Sequence, residues 1–245
     1  MKMKNLSRYL VSILFIMILW YLTSMLLNTP VLPYPQTAII EFVNVFPKLY
    51  IHILYSLQRI ISALVISIVI GVPAGLIMGR YRKLDYFFTP IVYLIYPIPK
   101  IAFLPVVMLL FGIGNFSKIF LIFITVFFQI IVTCRDESVK IREELFYFMR
   151  SIGSSQFDMF YHLVFPYSLP AIFTSIRLCL GTSIAILFFL ENFGTDWGIG
   201  YFIVDSWMRV NYKEMFAGII ALSLMGILLF LFVDILEQKL CPWVS

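Results

Sequence analysis

The chain has 245 residues, of which 62% are hydrophobic and only 13% charged, with a net charge of +5 and a mean hydropathy of +0.98. Soluble domains are nearer half apolar and about a quarter charged, so this balance excludes an ordinary water-soluble enzyme and points to a polytopic membrane protein. The charge excess has no dense basic cluster behind it, which argues against a nucleic-acid partner.

A span needs about 20 apolar residues at ~1.5 Å each to cross a hydrocarbon core of ~30 Å. Six runs are candidates, at 9–28, 53–79, 87–111, 119–134, 168–190 and 214–236. The first is too long for a signal-peptide core and no small-residue cleavage site follows it, so it reads as a retained span. Lys2, Lys4 and Arg8 precede it, Arg80, Arg82 and Lys83 separate spans two and three, and a polar segment separates four and five. Alternating spans put these regions on one side, the cytoplasmic side by the positive-inside rule, with both termini. The opposite loops carry fewer basic residues: Lys48, Lys118, Arg209 and Lys213. Cys134, Cys179 and Cys241 show neither metal spacing nor obvious pairing and read as buried thiols.

Between spans one and two, Pro30, Pro33, Pro35 and Pro47 punctuate a connection expected to hold at most a short interfacial helix, with His52 at its inner edge. Span two ends in GVPAGLIMGR, where Gly71, Gly75 and Gly79 share one helical face and allow close helix packing. Span three is interrupted by Pro90, Pro97, Pro99 and Pro105, and broken backbone at membrane depth needs protein or a water-filled cavity to cover it. Lys100 follows directly, and two readings stand: a translocation-path residue, or a lysine snorkelling to an interface. Arg59 lies early in span two and is a second path candidate. Glu191, at the outer end of span five, either faces that path or is a solvated helix end. Arg177 and Asp234 read as snorkelling side chains.

Residues 135–167 form a charged segment long enough for two helices. About 138–151 the pattern predicts an amphipathic helix with Ile141, Leu145, Phe148 and Ile152 on one face. Gly153 supplies the stop. Ser155 with Asp158 three residues on predicts a capped second helix, apolar through Phe157, Phe160, Tyr161 and Val164 and closed by Pro166, with Pro170 entering the next span. Exposed aromatics on two broken helices suit insertion into a partner's groove; the alternative is a segment that lies on lipid.

Gly153, nine residues, then Leu163-Val164-Phe165-Pro166 resembles the cytoplasmic-loop motif of inner-membrane permease subunits of ATP-binding-cassette importers. LPYPQTAIIEF at 32–42, HILYSLQRIISAL at 52–64, GVPAGLIMGR at 71–80, PIPKIAFLPVVMLLFGIGNFSK at 97–118 and GIGYFIVDS at 198–206 resemble the nitrate, sulfonate and taurine branch. The resemblance covers about residues 30–240 in the family's order. One departure is clear: the Glu-Ala-Ala triplet that precedes the family's glycine falls on Tyr147, Phe148 and Met149.

The resemblance implies a single all-α transmembrane permease domain over 1–245, a bundle of about six helices in the bacterial inner membrane. Gly153, Ser155, Phe157, Asp158, Phe160, Tyr161, Val164 and Pro166 are the expected ATPase-coupling residues, and Lys100, Arg59 and Glu191 the path candidates. The implied partners are cytoplasmic ATPase subunits, a second permease subunit (a second copy in a homodimer, or a similar chain) and an extracytoplasmic solute-binding protein. The chain has no GxxxxGK[ST] loop, so ATP is expected on a partner and no cofactor or metal on this chain. The solute expected is a small anion or a vitamin-precursor-like molecule. Two other classes compete. An intramembrane enzyme needs a nucleophile and base or metal ligands, and neither HExxH nor GxSxG occurs. An ion-coupled carrier usually shows two related halves, and none is visible.

Overall fold

The computed structural model describes residues 3–244, with side chains for 11–243, so Lys2 and the side chains of Lys4 and Arg8 lie outside the described residues. The helices are α1 (Met3–Leu27), α2 (Pro35–Arg80), α3 (Arg82–Ile95), α4 (Leu104–Phe111), α5 (Asn115–Lys140), α6 (Glu143–Ser151), α7 (Gln156–Met159), α8 (Phe165–Leu190), α9 (Ile199–Met208) and α10 (Tyr212–Leu240). A 3-10 turn, Lys100–Phe103, precedes α4, and a π turn, Phe160–Val164, joins α7 to α8. Regular structure among the described residues is thus helical, as hydrocarbon demands of a backbone whose polar groups must be satisfied internally. Pro35–Arg80, Asn115–Lys140, Gln156–Leu190 and Tyr212–Leu240 are each long and apolar enough to cross a bilayer. The stretches Arg82–Ile95 and Lys100–Phe111, bent by 75° at the proline break, make a fifth span if counted together, and the apolar part of α1 is the shorter Val11–Leu27.

α2 and α5 make the central seam. A Cβ on Gly75 would sit 2.7 Å from the Ile131 carbonyl oxygen, and one on Gly79 2.5 Å from that of Arg135. The two backbones reach this separation because these positions carry no side chain. Ile60, Leu76, Ile122, Val126 and Ile130 pack around the seam, and Leu180 and Leu187 of α8 close it from the side. The three cysteines are free and buried. α1 is peripheral, and its second half is tied through Trp20 Nε1 to the Pro33 carbonyl (3.1 Å), Ser24 Oγ to the Leu32 carbonyl (2.7 Å) and Trp20 stacked on Phe216.

Several boundaries differ from the sequence expectations. The proline-punctuated connection is largely helix: Pro35 starts α2 and Pro47 lies inside it. Proline's fixed φ suits a first turn, and the bond lost at Pro47 is offset by Val45 and Leu49, which dock that stretch on the core. At ~1.5 Å per residue, α2 is about 69 Å long, more than twice the hydrocarbon thickness. α5 outruns the expected 119–134 at both ends. Its charged turn stays helical because Arg135 Nε and Nη2 donate to Asp85 Oδ1 and Oδ2 at 2.6 and 2.8 Å.

The polar loop therefore begins at Ile141, whose backbone is extended, and the helical register expected across 138–151 breaks there. Ile141 is buried, but Phe148 and Ile152 are exposed and Phe146 takes the inward position. Pro166 does not close a helix, because Gln156–Leu190 runs on without interruption. The π turn lets the Phe165 N–H reach the Phe160 carbonyl, and Pro166 then occupies the first turn of α8, where a missing N–H costs little. Pro170 lies inside α8. Arg177 and Asp234 are also paired: Arg177 Nε donates to Asp234 Oδ1 at 2.6 Å, and its Nη2 pairs with Glu237.

Candidate functional site

Three places concentrate the chemistry. The first is the loop end of the bundle, where α6 and α7 sit. Phe146 anchors α6 under Arg80, whose guanidinium lies 3.8 Å from the ring centroid and pairs with Glu143 at 3.5 Å. Gly153 then takes φ +81° with open space where a Cβ would point, so conformation rather than crowding demands glycine there. Ser155 caps α7 as expected: its N–H donates to Asp158 Oδ2 at 2.9 Å, and the Asp158 N–H donates back to Ser155 Oγ at 3.2 Å.

The expected coupling residues divide into two faces. Gly153, Ser155, Phe157 and Tyr161 face outward and Asp158 is half-exposed, while Phe160 and Pro166 are half-buried and Val164 is buried. Phe157 is 74% and Tyr161 59% exposed, with their rings stacked at 6.2 Å. Tyr147, Phe148 and Ile152, each 63% exposed, stand out from α6. Two of the residues that replace the family's triplet are therefore outward-facing aromatics.

The second place is at the opposite end of the bundle. Arg59 and Glu191, 1% and 0% exposed, form an ion pair at 2.6 Å. The Glu191 carboxylate also accepts from Ser56 Oγ (2.8 and 2.9 Å) and the Gly200 N–H (2.8 Å). Arg59 donates further to Asn115 Oδ1 (2.9 and 2.6 Å) and the Trp197 carbonyl (2.8 Å). His52 Nδ1 lies 3.0 and 3.1 Å from the Gly198 carbonyl oxygen and nitrogen. Lys118 is fully buried beside this group and donates to the Gly114 and Gly194 carbonyls at 3.4 and 3.2 Å. Such a network ties α2, the start of α5, the end of α8 and the entry to α9, and it satisfies a charge pair that hydrocarbon would otherwise penalise heavily. Arg59 and Glu191 are thus enclosed rather than set on a cavity wall, and neither is a solvated helix end. Ser56 and Asn115 were not singled out from the sequence, and Lys118, read there as a basic residue of an outer loop, is instead buried in the first turn of α5. The spacing of His52, Ser56 and Arg59 by four and three residues within an apolar run was the available signal.

The third place is the break in span three. A cavity of about 300 Å³ is lined by Tyr96, Ile98, Pro99, Lys100, Ile101, Thr125, Gln129 and Ile186. Lys100 Nζ donates to the Ile95 and Tyr96 carbonyls at 2.7 and 2.5 Å. The Ile95 carbonyl also accepts the Ile98 N–H at 3.1 Å, and Pro99 lacks the N–H that a continuing helix would offer at this point. Lys100 is the one of the three path candidates that borders open volume.

Comparison with known proteins agrees with this architecture. The family model described as binding-protein-dependent transport system inner membrane component matches residues 67–244. The chain is 27% identical over 232 residues to the taurine transport system permease protein TauC of Escherichia coli, covering 91% of this chain and 84% of that one. It is 30% identical over 235 residues to the formylaminopyrimidine transport permease protein ThiX of Halalkalibacterium halodurans, covering 94% and 93%. Among solved structures, an inward-facing form of the MetNI methionine ABC transporter superposes with a TM-score of 0.71 at 18% identity, over 80% of this chain and 98% of that one, which is a likeness of fold.

Proposed function

Because the chain belongs to the binding-protein-dependent transport system inner membrane component family, we propose that it is the permease subunit of an ATP-binding-cassette importer for a small solute. In this reading two copies form the path across a bacterial inner membrane, with both termini cytoplasmic. A solute-binding protein delivers cargo from outside, and separate ATPase subunits dock on α6 and α7. The relatives' names, taurine and formylaminopyrimidine permeases, bracket the solute as a small sulfonate-bearing molecule or a small heterocycle.

The observation that carries the proposal is the pair of exposed, stacked aromatics Phe157 and Tyr161, held on a helix continuous with a membrane span, with Tyr147, Phe148 and Ile152 exposed on and just after the preceding α6. Aromatic anchors in a partner's groove supply most of an interface's energy, and a helix bound at one end passes a partner's closure to the span it belongs to. Transport then follows if ATP binding favours one arrangement of the bundle over another.

The test is recovery of the tagged chain from its native membranes in mild detergent. A stoichiometric ATPase is expected with the wild-type chain and is lost with Phe157→Ala/Tyr161→Ala, although the variant is still recovered folded. Reproducible recovery of the wild-type chain alone overturns the proposal.

A further inference from the structure

We infer that the break in span three is an anion-binding station within the permease itself, where Lys100 and Gln129 receive the charged head of a small oxoanion such as a sulfonate, carboxylate or nitrate. The inference rests on the importer reading above and adds to it a site on this chain.

Capping the freed carbonyls explains part of Lys100, but not its charge. The two carbonyls take two of the ammonium's three N–H groups, and that of Ile95 already accepts the Ile98 N–H. Among the described residues no carboxylate forms an ion pair with it. Its other neighbours are the faces of Tyr96 and Phe128, with centroids 5.7 and 5.4 Å away. A lysine within an apolar, span-length stretch and without a carboxylate partner marks a pathway or a missing partner, and here it borders a cavity large enough to hold one.

The cavity wall supplies a second donor. Gln129 Oε1 lies 3.5 Å from Cys179 Sγ, and no hydrogen bond engages the amide nitrogen among the described residues, which leaves it available as a donor. Thr125 Oγ1 is committed to the Leu121 carbonyl at 2.8 Å, so it contributes no competing donor. The free ammonium proton and the Gln129 NH2 suit an acceptor-only ligand, while a cation would meet like charge. A volume of about 300 Å³ is at the lower end of small-molecule sites, enough for an anionic head with a short tail. The tie at the other end of the bundle has the same sign: Arg59 and Lys118 are set against the one carboxylate of Glu191. Unbalanced positive charge at both places draws anions inward and excludes cations.

The experiment is saturation-transfer NMR on the full chain in non-ionic detergent, with methanesulfonate as the anionic probe and dimethyl sulfone as its uncharged counterpart. Methanesulfonate is expected to bind the wild-type chain and to bind Lys100→Gln at least tenfold more weakly. Glutamine keeps a donor for the carbonyls while removing the charge, so a purely capping role predicts no change. Lys48→Gln, at an exposed position, is expected to bind as wild type does. If Lys100→Gln does not fold, Gln129→Leu tests the same cavity with the same expectation. Absence of binding to the wild-type chain, equal binding of dimethyl sulfone, or binding retained in the folded cavity variant overturns the station. A chain that recovers its ATPase yet binds no methanesulfonate removes the station alone and leaves the importer reading in place.

Discussion

The Arg59–Glu191 pair shows how a residue's chemistry is legible long before its role. An arginine and a glutamate at the edges of apolar runs stand out in the sequence, but 132 residues separate them and nothing local says they meet. The structure joins them at 2.6 Å and surrounds the carboxylate with the Ser56 hydroxyl and the Gly200 amide. Breaking a buried pair strands one charge, at a typical cost of about 3–5 kcal/mol, whereas replacing both partners with apolar groups is often close to neutral. Arg59→Met should therefore lower stability by about 3–5 kcal/mol, and Arg59→Met/Glu191→Met should recover much of the loss. Unfolding of both variants in non-ionic detergent checks this; a double variant no better than the single one removes the coupling argument.

At the scale of elements, the α2–α5 seam makes a sharper contrast than any composition argument. A Cβ at Gly75 would meet both the Cys134 Cβ and the Ile131 carbonyl at 2.7 Å, whereas one at Gly181 finds its nearest neighbour at 4.0 Å. Overfilling a packed contact typically costs about 1–3 kcal/mol, so Gly75→Val should destabilise by at least that much while Gly181→Ala leaves the melting temperature within error. Thermal unfolding by intrinsic fluorescence separates the two, and an unaffected Gly75→Val would mean the seam is looser than described. The glycine face, the Ser155–Asp158 cap and the Gly153 stop were legible because each depends on neighbours within one or two helical turns. The inward face of α6 was not, because the extended Ile141 resets the register by a backbone choice that side-chain periodicity does not encode. The Pro47 and Pro166 expectations erred alike: proline was taken as a stop, while a docked core stretch and a π turn let the helices pass through.

For the whole molecule, the departure at positions 147–149 bears on how partners are chosen. Tyr147 and Phe148 stand outward where the resembling family carries a charged and a small residue, as Phe157 and Tyr161 do on α7 and the turn after it. Large exposed aromatics serve as anchors when a partner provides pockets for them. Tyr147→Ser/Phe148→Ser is thus expected to weaken ATPase binding at least tenfold with no change in the chain's own melting temperature. Titration of the labelled ATPase against the purified permease checks this, and unchanged affinity would confine the contact to α7. The membrane class and the all-helical architecture were legible from hydropathy and motifs. The enclosed tie and the cavity were not, since each is assembled from distant parts of the chain.

The uninterrupted run from Gln156 to Leu190 is a single rod of 35 residues, about 52 Å long at ~1.5 Å per residue. It carries Phe157 at one tip and meets Glu191 at the other. Pivoted near its middle, such a rod works as a seesaw: a tilt of about 10° shifts each tip by about 4–5 Å, in opposite directions. A push at the aromatic tip then reaches Glu191 and its partners with the sign reversed and the amplitude nearly intact.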